Sequence, residues 1–171
     1  MRILLMTLGV IVVLIFAVVV IGALLPKHHR VSRAASFRAT PEQLFALIAG
    51  PQNWRPDVKR FETVPDASGR ELVRETTRNG ETITYELFNR KPPQLIERRI
   101  AAQGLPYSGE WIFLLQREND STTVRITEDG EVYHPIFRFV SRFVIGHTRT
   151  LDAYLRALAN ATGQQQVQIR D

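Results

Sequence analysis

Residues 31–50, VSRAASFRATPEQLFALIAG, switch period in the middle, and that switch opens the fold. Val31 to Ala39 show the mixed alternation of a strand. At Thr40-Pro41-Glu42-Gln43 the pattern turns helical. Thr40 stands as N-cap, Pro41 takes the first helical position, and Gln43 completes a capping box. Leu44, Phe45, Leu47 and Ile48 supply the apolar face, and Gly50-Pro51 stops the helix. A second short helical turn is expected at Asn53 and Trp54, before Pro56.

Beyond this point the period becomes two. Residues 59–64, 71–78, 81–89, 94–102, 108–117 and 122–132 read as six strands, separated by Gly, Pro, Asn and Asp. Their short connections make an antiparallel meander. From Pro135 to Ala161 the helical period returns, with apolar residues at 136, 139, 140, 143, 144, 151, 154, 155 and 158. The tail, 162–171, is polar. Helices segregated at the two ends of an antiparallel sheet define an α+β domain.

Two hairpins assign side chains to faces. With a two-residue Asn79-Gly80 turn, Arg78 pairs with Glu81. One face then carries Leu72, Arg74, Thr76, Ile83, Tyr85 and Leu87, mostly apolar and therefore inward, with Arg74 opposite Tyr85. In the next hairpin a loop over 118–121 pairs Arg117 with Thr122 and points Trp111, Phe113, Leu115, Val124, Ile126 and Glu128 inward, with Glu128 opposite Trp111. Each hairpin thus sets an ionisable group on an apolar face, where an unpaired charge is costly. Such groups are either staples, Arg74 or Arg138 against Glu128, or polar fixtures of a cavity. Glu128 and Arg138 are expected to face each other across the sheet–helix interface, because an arginine in a helix's first turn opposes the dipole unless it has a specific partner.

The N-terminus sets the context. Ile3 to Leu25 contain no charge and, apart from Thr7, no residue more polar than glycine. As a helix they span roughly 34 Å, enough to cross a ~30 Å hydrocarbon core. A signal peptide would have a shorter apolar run and a small-x-small cleavage site, which Gly22-Ala23-Leu24-Leu25-Pro26 does not offer. The chain therefore divides into a transmembrane anchor (1–25), a basic juxtamembrane linker (26–31), a single domain (32–161) and a polar tail (162–171). Lys27, His28, His29, Arg30 and Arg33 suit an interface with lipid head groups. Lys27, Arg30, Arg33 and Arg38 outweigh Arg2, which favours a cytoplasmic domain on a single-pass protein.

Outside the anchor 21 basic residues face 17 acidic ones, a net +4. They are interspersed, so no nucleic-acid partner is expected. The absence of cysteine excludes disulfides and thiolate metal sites, and the four histidines make no ligand pair, so neither metal nor cofactor is expected. No nucleophile elbow, phosphate loop or dinucleotide fingerprint occurs. The sequons at Asn119 and Asn160 read as chance tripeptides.

The order of one strand, two small helices, six strands and a long C-terminal helix resembles the START/Bet v 1-like superfamily, in particular its polyketide cyclase/dehydrase and lipid-transport type. Three stretches carry the resemblance: Ala35-Ser36-Phe37-Arg38-Ala39-Thr40-Pro41-Glu42-Gln43-Leu44-Phe45; Asn53-Trp54-Arg55-Pro56-Asp57-Val58; and Thr127-Glu128-Asp129-Gly130 followed by Phe137-Arg138-Phe139 and Gly146. It implies a helix-grip fold, in which a curved seven-stranded antiparallel sheet holds the long helix across a ligand cavity. The superfamily shares no catalytic set, so none is carried over.

The expected function is a membrane-anchored binder of a hydrophobic small molecule or lipid. Trp54, Leu72, Arg74, Tyr85, Leu87, Trp111, Phe113, Glu128, Val140 and Phe143 are the expected lining. The alternatives are a cyclase- or dehydrase-like enzyme moving a proton with Glu128, Arg74 and Tyr85, or a non-catalytic module of a membrane complex. The sequence names no protein partner.

Overall fold

The computed structural model describes residues 2–64, 66, 68–102 and 104–171. An apolar helix, α1 (Arg2–Leu24), leads through Leu25–Lys27 into β1 (His28–Phe37) and α2 (Pro41–Ala49). The meander follows as β2 (Val58–Val64), β3 (Leu72–Thr77), β4 (Thr82–Lys91), β5 (Leu95–Ile100), β6 (Tyr107–Glu118) and β7 (Ser121–Val132). Next come α3 (Pro135–Val140), a π-helical turn (Ser141–Ile145), α4 (Arg149–Ala161) and a two-residue strand, β8 (Ile169–Arg170). The sheet order is β2-β3-β4-β5-β6-β7-β1-β8, with every pairing antiparallel.

The α+β helix-grip fold stands, with three local differences. First, the tail is ordered. Gln164 donates to the Ser36 carbonyl and accepts from the Arg38 amide, which steers β8 onto the free edge of β1 and makes an eighth strand. Second, Asn53 and Trp54 lie in hydrogen-bonded turns, not a helix. The Gln52 amide donates to the Ile48 carbonyl at 2.8 Å and the Trp54 indole to the Leu47 carbonyl at 3.0 Å, so side chains finish α2. Third, the C-terminal helical stretch is divided. Gly146 adopts φ 79° and its N–H bonds back to Ser141, closing the π-turn and redirecting the chain into α4.

The packed core lies under α4. Leu151, Leu155 and Leu158 are fully buried against Phe37, Phe113, Leu115, Val124 and Ile126, with Leu44 and Ile48 of α2 closing one end. The β6–β7 hairpin keeps the expected register, Arg117 opposite Thr122 and Trp111 opposite Glu128, although its loop is the shorter Asn119-Asp120.

The β3–β4 hairpin does not. Val73 pairs with Tyr85, Arg74 with Thr84 and Glu75 with Ile83. The loop holds three residues, because Thr77 N–H bonds the Glu81 carbonyl and Gly80 alone takes a positive φ, 89°. Asn79-Gly80 thus closes a type I turn with a glycine bulge instead of a type I′ turn. That one-residue slip exchanges the two faces of β3. Val73 and Glu75 point inward, whereas Leu72 and Arg74 point outward and Arg74 is exposed.

α1 is long and apolar enough to cross a bilayer, a property it shares with signal sequences. It does not stand free of the domain, because its last turns pack on α3. At the crossing Gly22 is buried, and a Cβ there would lie 2.0 Å from the Pro135 carbonyl oxygen. Arg138 reaches from α3 to the end of α1, its Nη1 donating to the Leu25 carbonyl at 2.7 Å and the Ala23 carbonyl at 3.3 Å. Arg138 therefore has the specific partner its position demands, but that partner is a helix C-terminus and not Glu128. The basic segment read as a linker is from His28 onward the beginning of β1, paired with Glu131, Gly130 and Asp129.

Gly22→Ala is expected to push α1 off α3 while leaving the sheet intact. Trypsin should then cut the exposed Lys27 several-fold faster than in the parent chain, with an unchanged digestion pattern inside the domain.

Candidate ligand cavity

Beyond the packed core the sheet and the helical segment separate. A cavity of about 460 Å³ opens between the inner faces of β4 to β7 and the α3/π-turn segment. Ile83 and Tyr85 of β4, Arg98 and Ile100 of β5, and Tyr107 and Trp111 of β6 form its floor. Phe137 and Val140 of α3, with Ile145 and His147, form its roof. The volume falls in the range of small-molecule sites, and the lining is largely aromatic and aliphatic with a few polar groups, as such sites are.

The inner end of the cavity rests on buried charge. Glu75, 3% exposed, accepts from Arg98 Nη1 at 3.0 Å and from Arg55 Nη1 at 2.8 Å. The Arg98 guanidinium also lies 4.9 Å from the ring centre of Tyr85, 5.0 Å from that of Trp111, 5.4 Å from that of Phe113 and 5.7 Å from that of Tyr154. These ring faces partly replace the water a buried cation has lost. Arg98 Nε is buried without a partner among the described residues. Burial pushes the Tyr85 hydroxyl up to about 12, opposed in part by Arg98. It pushes Tyr154 up to about 12 as well, against Arg98 and Arg55. Both hydroxyls therefore stay protonated at neutral pH, and Tyr154 donates to Gln52 Oε1 at 3.0 Å.

At the other end two side chains hold Glu128. His29 Nε2 lies 3.1 Å from Oε1, and the Trp111 indole donates to Oε2 at 3.0 Å. The His29 ring stacks on His147, centroids 4.2 Å apart, and His147 Nδ1 lies 3.2 Å from Ser141 Oγ. This chain ties β1 to the π-turn across the cavity rim. Burial lowers the His147 pKa below its ordinary value, and the neighbouring His29 and Arg142 lower it further.

Of the expected lining residues, Tyr85, Trp111, Glu128 and Val140 border the cavity. Arg74 and Leu72 do not, because the hairpin slip turns them outward. Phe113 is fully buried in the packed core and Leu87 packs against it. Trp54 packs edge-on to Tyr154 beneath its loop, ring centroids 5.3 Å apart. Phe143 is 60% exposed, turned away by the π-turn. Sequence reasoning missed Arg98, Glu75, Ile100, Tyr107 and His29. Arg98 and Glu75 sit on inward positions of alternating strands, a signal visible once the β3–β4 register is right. Among the described residues no group of His, Cys, Asp and Glu is arranged to hold a metal ion.

The chain belongs to the polyketide cyclase/dehydrase and lipid-transport family, whose model matches residues 28–162. No curated protein matches the sequence. Solved structures share the fold at low identity. A START superfamily protein from Mycobacterium smegmatis is 18% identical, with a TM-score of 0.63 over 81% of this chain and 99% of its own. The Zhui aromatase/cyclase from Streptomyces sp. R1128 is 14% identical, with a TM-score of 0.63 over 81% and 95%. Truncated norcoclaurine synthase from Thalictrum flavum is 14% identical, with a TM-score of 0.62 over 81% and 96%.

Glu75→Gln leaves the buried Arg98 guanidinium without its counter-charge and Arg55 with Asp57 alone, and should destabilise the domain by about 3–5 kcal/mol in denaturant unfolding. Arg74→Ala, on the solvent face, should change stability by less than about 0.5 kcal/mol. If Arg74 instead proved the costly position, the β3–β4 register described here would be wrong.

Proposed function

We propose that the chain is a membrane-tethered binding protein for a hydrophobic small molecule or lipid, held in the cavity between the sheet and the C-terminal helical segment. The observation that carries this reading is the cavity itself: about 460 Å³, mainly apolar, with a few polar fixtures at its two ends. The family supports ligand binding in such a space.

Two features favour the tether. α1 is 23 residues long, and Gly22 is its one buried position among the described residues. Five exposed apolar side chains of the domain also gather on the segment packed against its end: Ile136, Phe137, Phe143, Val144 and Ile145 are 37–67% exposed on α3 and the π-turn. With α1 across a bilayer, these residues meet the same leaflet, where their exposure carries no hydrophobic cost. The cavity roof then faces the phase from which an apolar ligand partitions.

A proton-transfer enzyme finds less support. Arg74 lies outside the cavity, the Tyr85 proton is held too tightly for a base, and both Glu128 oxygens already accept hydrogen bonds. A purely structural module has no use for the open space.

Native mass spectrometry of the full chain in nonionic detergent is expected to recover a bound lipid or apolar small molecule. Ile83→Trp, which fills the cavity from the sheet side, should abolish that adduct and leave the circular dichroism spectrum unchanged. An adduct-free parent chain whose melting temperature no lipid shifts would overturn the reading.

A further inference from the structure

A second, smaller crevice of about 190 Å³ adjoins the cavity where α1 ends. Its walls come from Leu25–His29, α3 and the π-turn, and His29, Val132, Ser141 and His147 line both spaces. The two are therefore neighbouring compartments around one pair of stacked histidines. Their chemistry differs. The larger is apolar, whereas the smaller is lined by Lys27, His28, His29, Arg138, Arg142 and His147, with no carboxylate among its described residues.

The basic side chains here differ in their commitments. His28 and His29 lean on Asp129 and Glu128. Lys27 and Arg142 are exposed and form no ion pair among the described residues. Arg138 is 8% exposed, and its Nε is buried without a hydrogen-bond partner among the described residues. Like charges gathered around one crevice repel one another, a penalty that one anion with several acceptor oxygens relieves. Three cationic side chains arriving from a strand lead-in, a helix and the π-turn suit a tetrahedral oxyanion better than a planar carboxylate, which a single guanidinium saturates.

We propose that this crevice is a phosphate site for a membrane phospholipid whose acyl chain lies in the adjoining apolar cavity. The inference rests on the ligand-binding reading above and deepens it: the ligand is a phosphate-bearing amphiphile, read by Lys27, Arg142 and Arg138. Position supports this. The crevice sits at the C-terminal end of α1, which in a bilayer is the level of the lipid phosphates. The order of the compartments, phosphate pocket at the anchor and apolar cavity beyond it, matches an amphiphile drawn head-last from the leaflet.

The test uses the full chain in nonionic detergent and three probes: phosphatidic acid, diacylglycerol with the same acyl chains, and inorganic phosphate. Native mass spectrometry and thermal melting are read for the parent chain and for the Lys27→Ala/Arg142→Ala double variant, which alters two exposed side chains. The parent should retain phosphatidic acid over diacylglycerol, and the double variant should lose about tenfold or more of that preference while binding diacylglycerol unchanged. Equal retention of the two lipids by the parent, or an unaltered preference in the variant, overturns the phosphate site but leaves the cavity reading standing. Retention of neither lipid overturns both. Stabilisation by inorganic phosphate alone, equal to that by phosphatidic acid, would assign the crevice to free phosphate and overturn the lipid.

Discussion

The architecture depends on one carboxylate. Glu75 sits on the inner face of β3 between the guanidinium groups of Arg55 and Arg98, and those two side chains come from the turn after α2 and from β5. Burying three charges costs several kcal/mol per ion, which only close hydrogen bonding offsets. The pairing therefore locks the β3–β4–β5 half of the sheet to the segment that follows α2. It also divides the inner face. On one side α4 packs Leu151, Leu155 and Leu158 onto β6, β7 and β1 with no room left. On the other, Arg98 and its ring of aromatic side chains cannot be covered by a close-packed aliphatic layer. There the helical segment bends away at Gly146, and the cavity opens.

The same bend couples the cavity to α1. Redirected by the π-turn, α3 lies back on the last turns of α1, with Gly22 admitting the Pro135 backbone and Arg138 capping the helix end. The stacked His29 and His147 then tie this assembly to the sheet. The roof of the cavity is thus made by the element that holds α1. On the proposed reading, a change in how α1 sits in the bilayer is transmitted to the cavity rim through packed backbone instead of through a flexible linker.

The sequence is legible where one local signal decides. The Thr40 capping box, the six alternating strands and the inward line Trp111, Phe113, Leu115 all follow from neighbours in the chain. It misleads where two local solutions share the same letters. Asn79-Gly80 closes either a two-residue or a three-residue loop, and the faces Leu72-Arg74-Thr76 and Val73-Glu75-Thr77 are almost equally polar. Choosing between them needs Arg55 and Arg98, 20 and 23 residues from Glu75, and no periodicity reports that contact. Arg138 shows the same limit. Its position in the first turn of a helix implies a partner, but the partner is a pair of backbone carbonyls at the end of α1, which carry no sequence signature.

The central claim is that an amphiphile occupies the space between Arg98 and the end of α1. Isotope-filtered NMR of the methyl-labelled full chain in phospholipid nanodiscs measures this directly. The account predicts cross-peaks from lipid acyl protons to the methyl groups of Ile83, Ile100 and Val140, and none to those of Leu151, Leu155 and Leu158 in the packed core. Cross-peaks confined to α1 and the π-turn, with Ile83 and Ile100 silent, would contradict it.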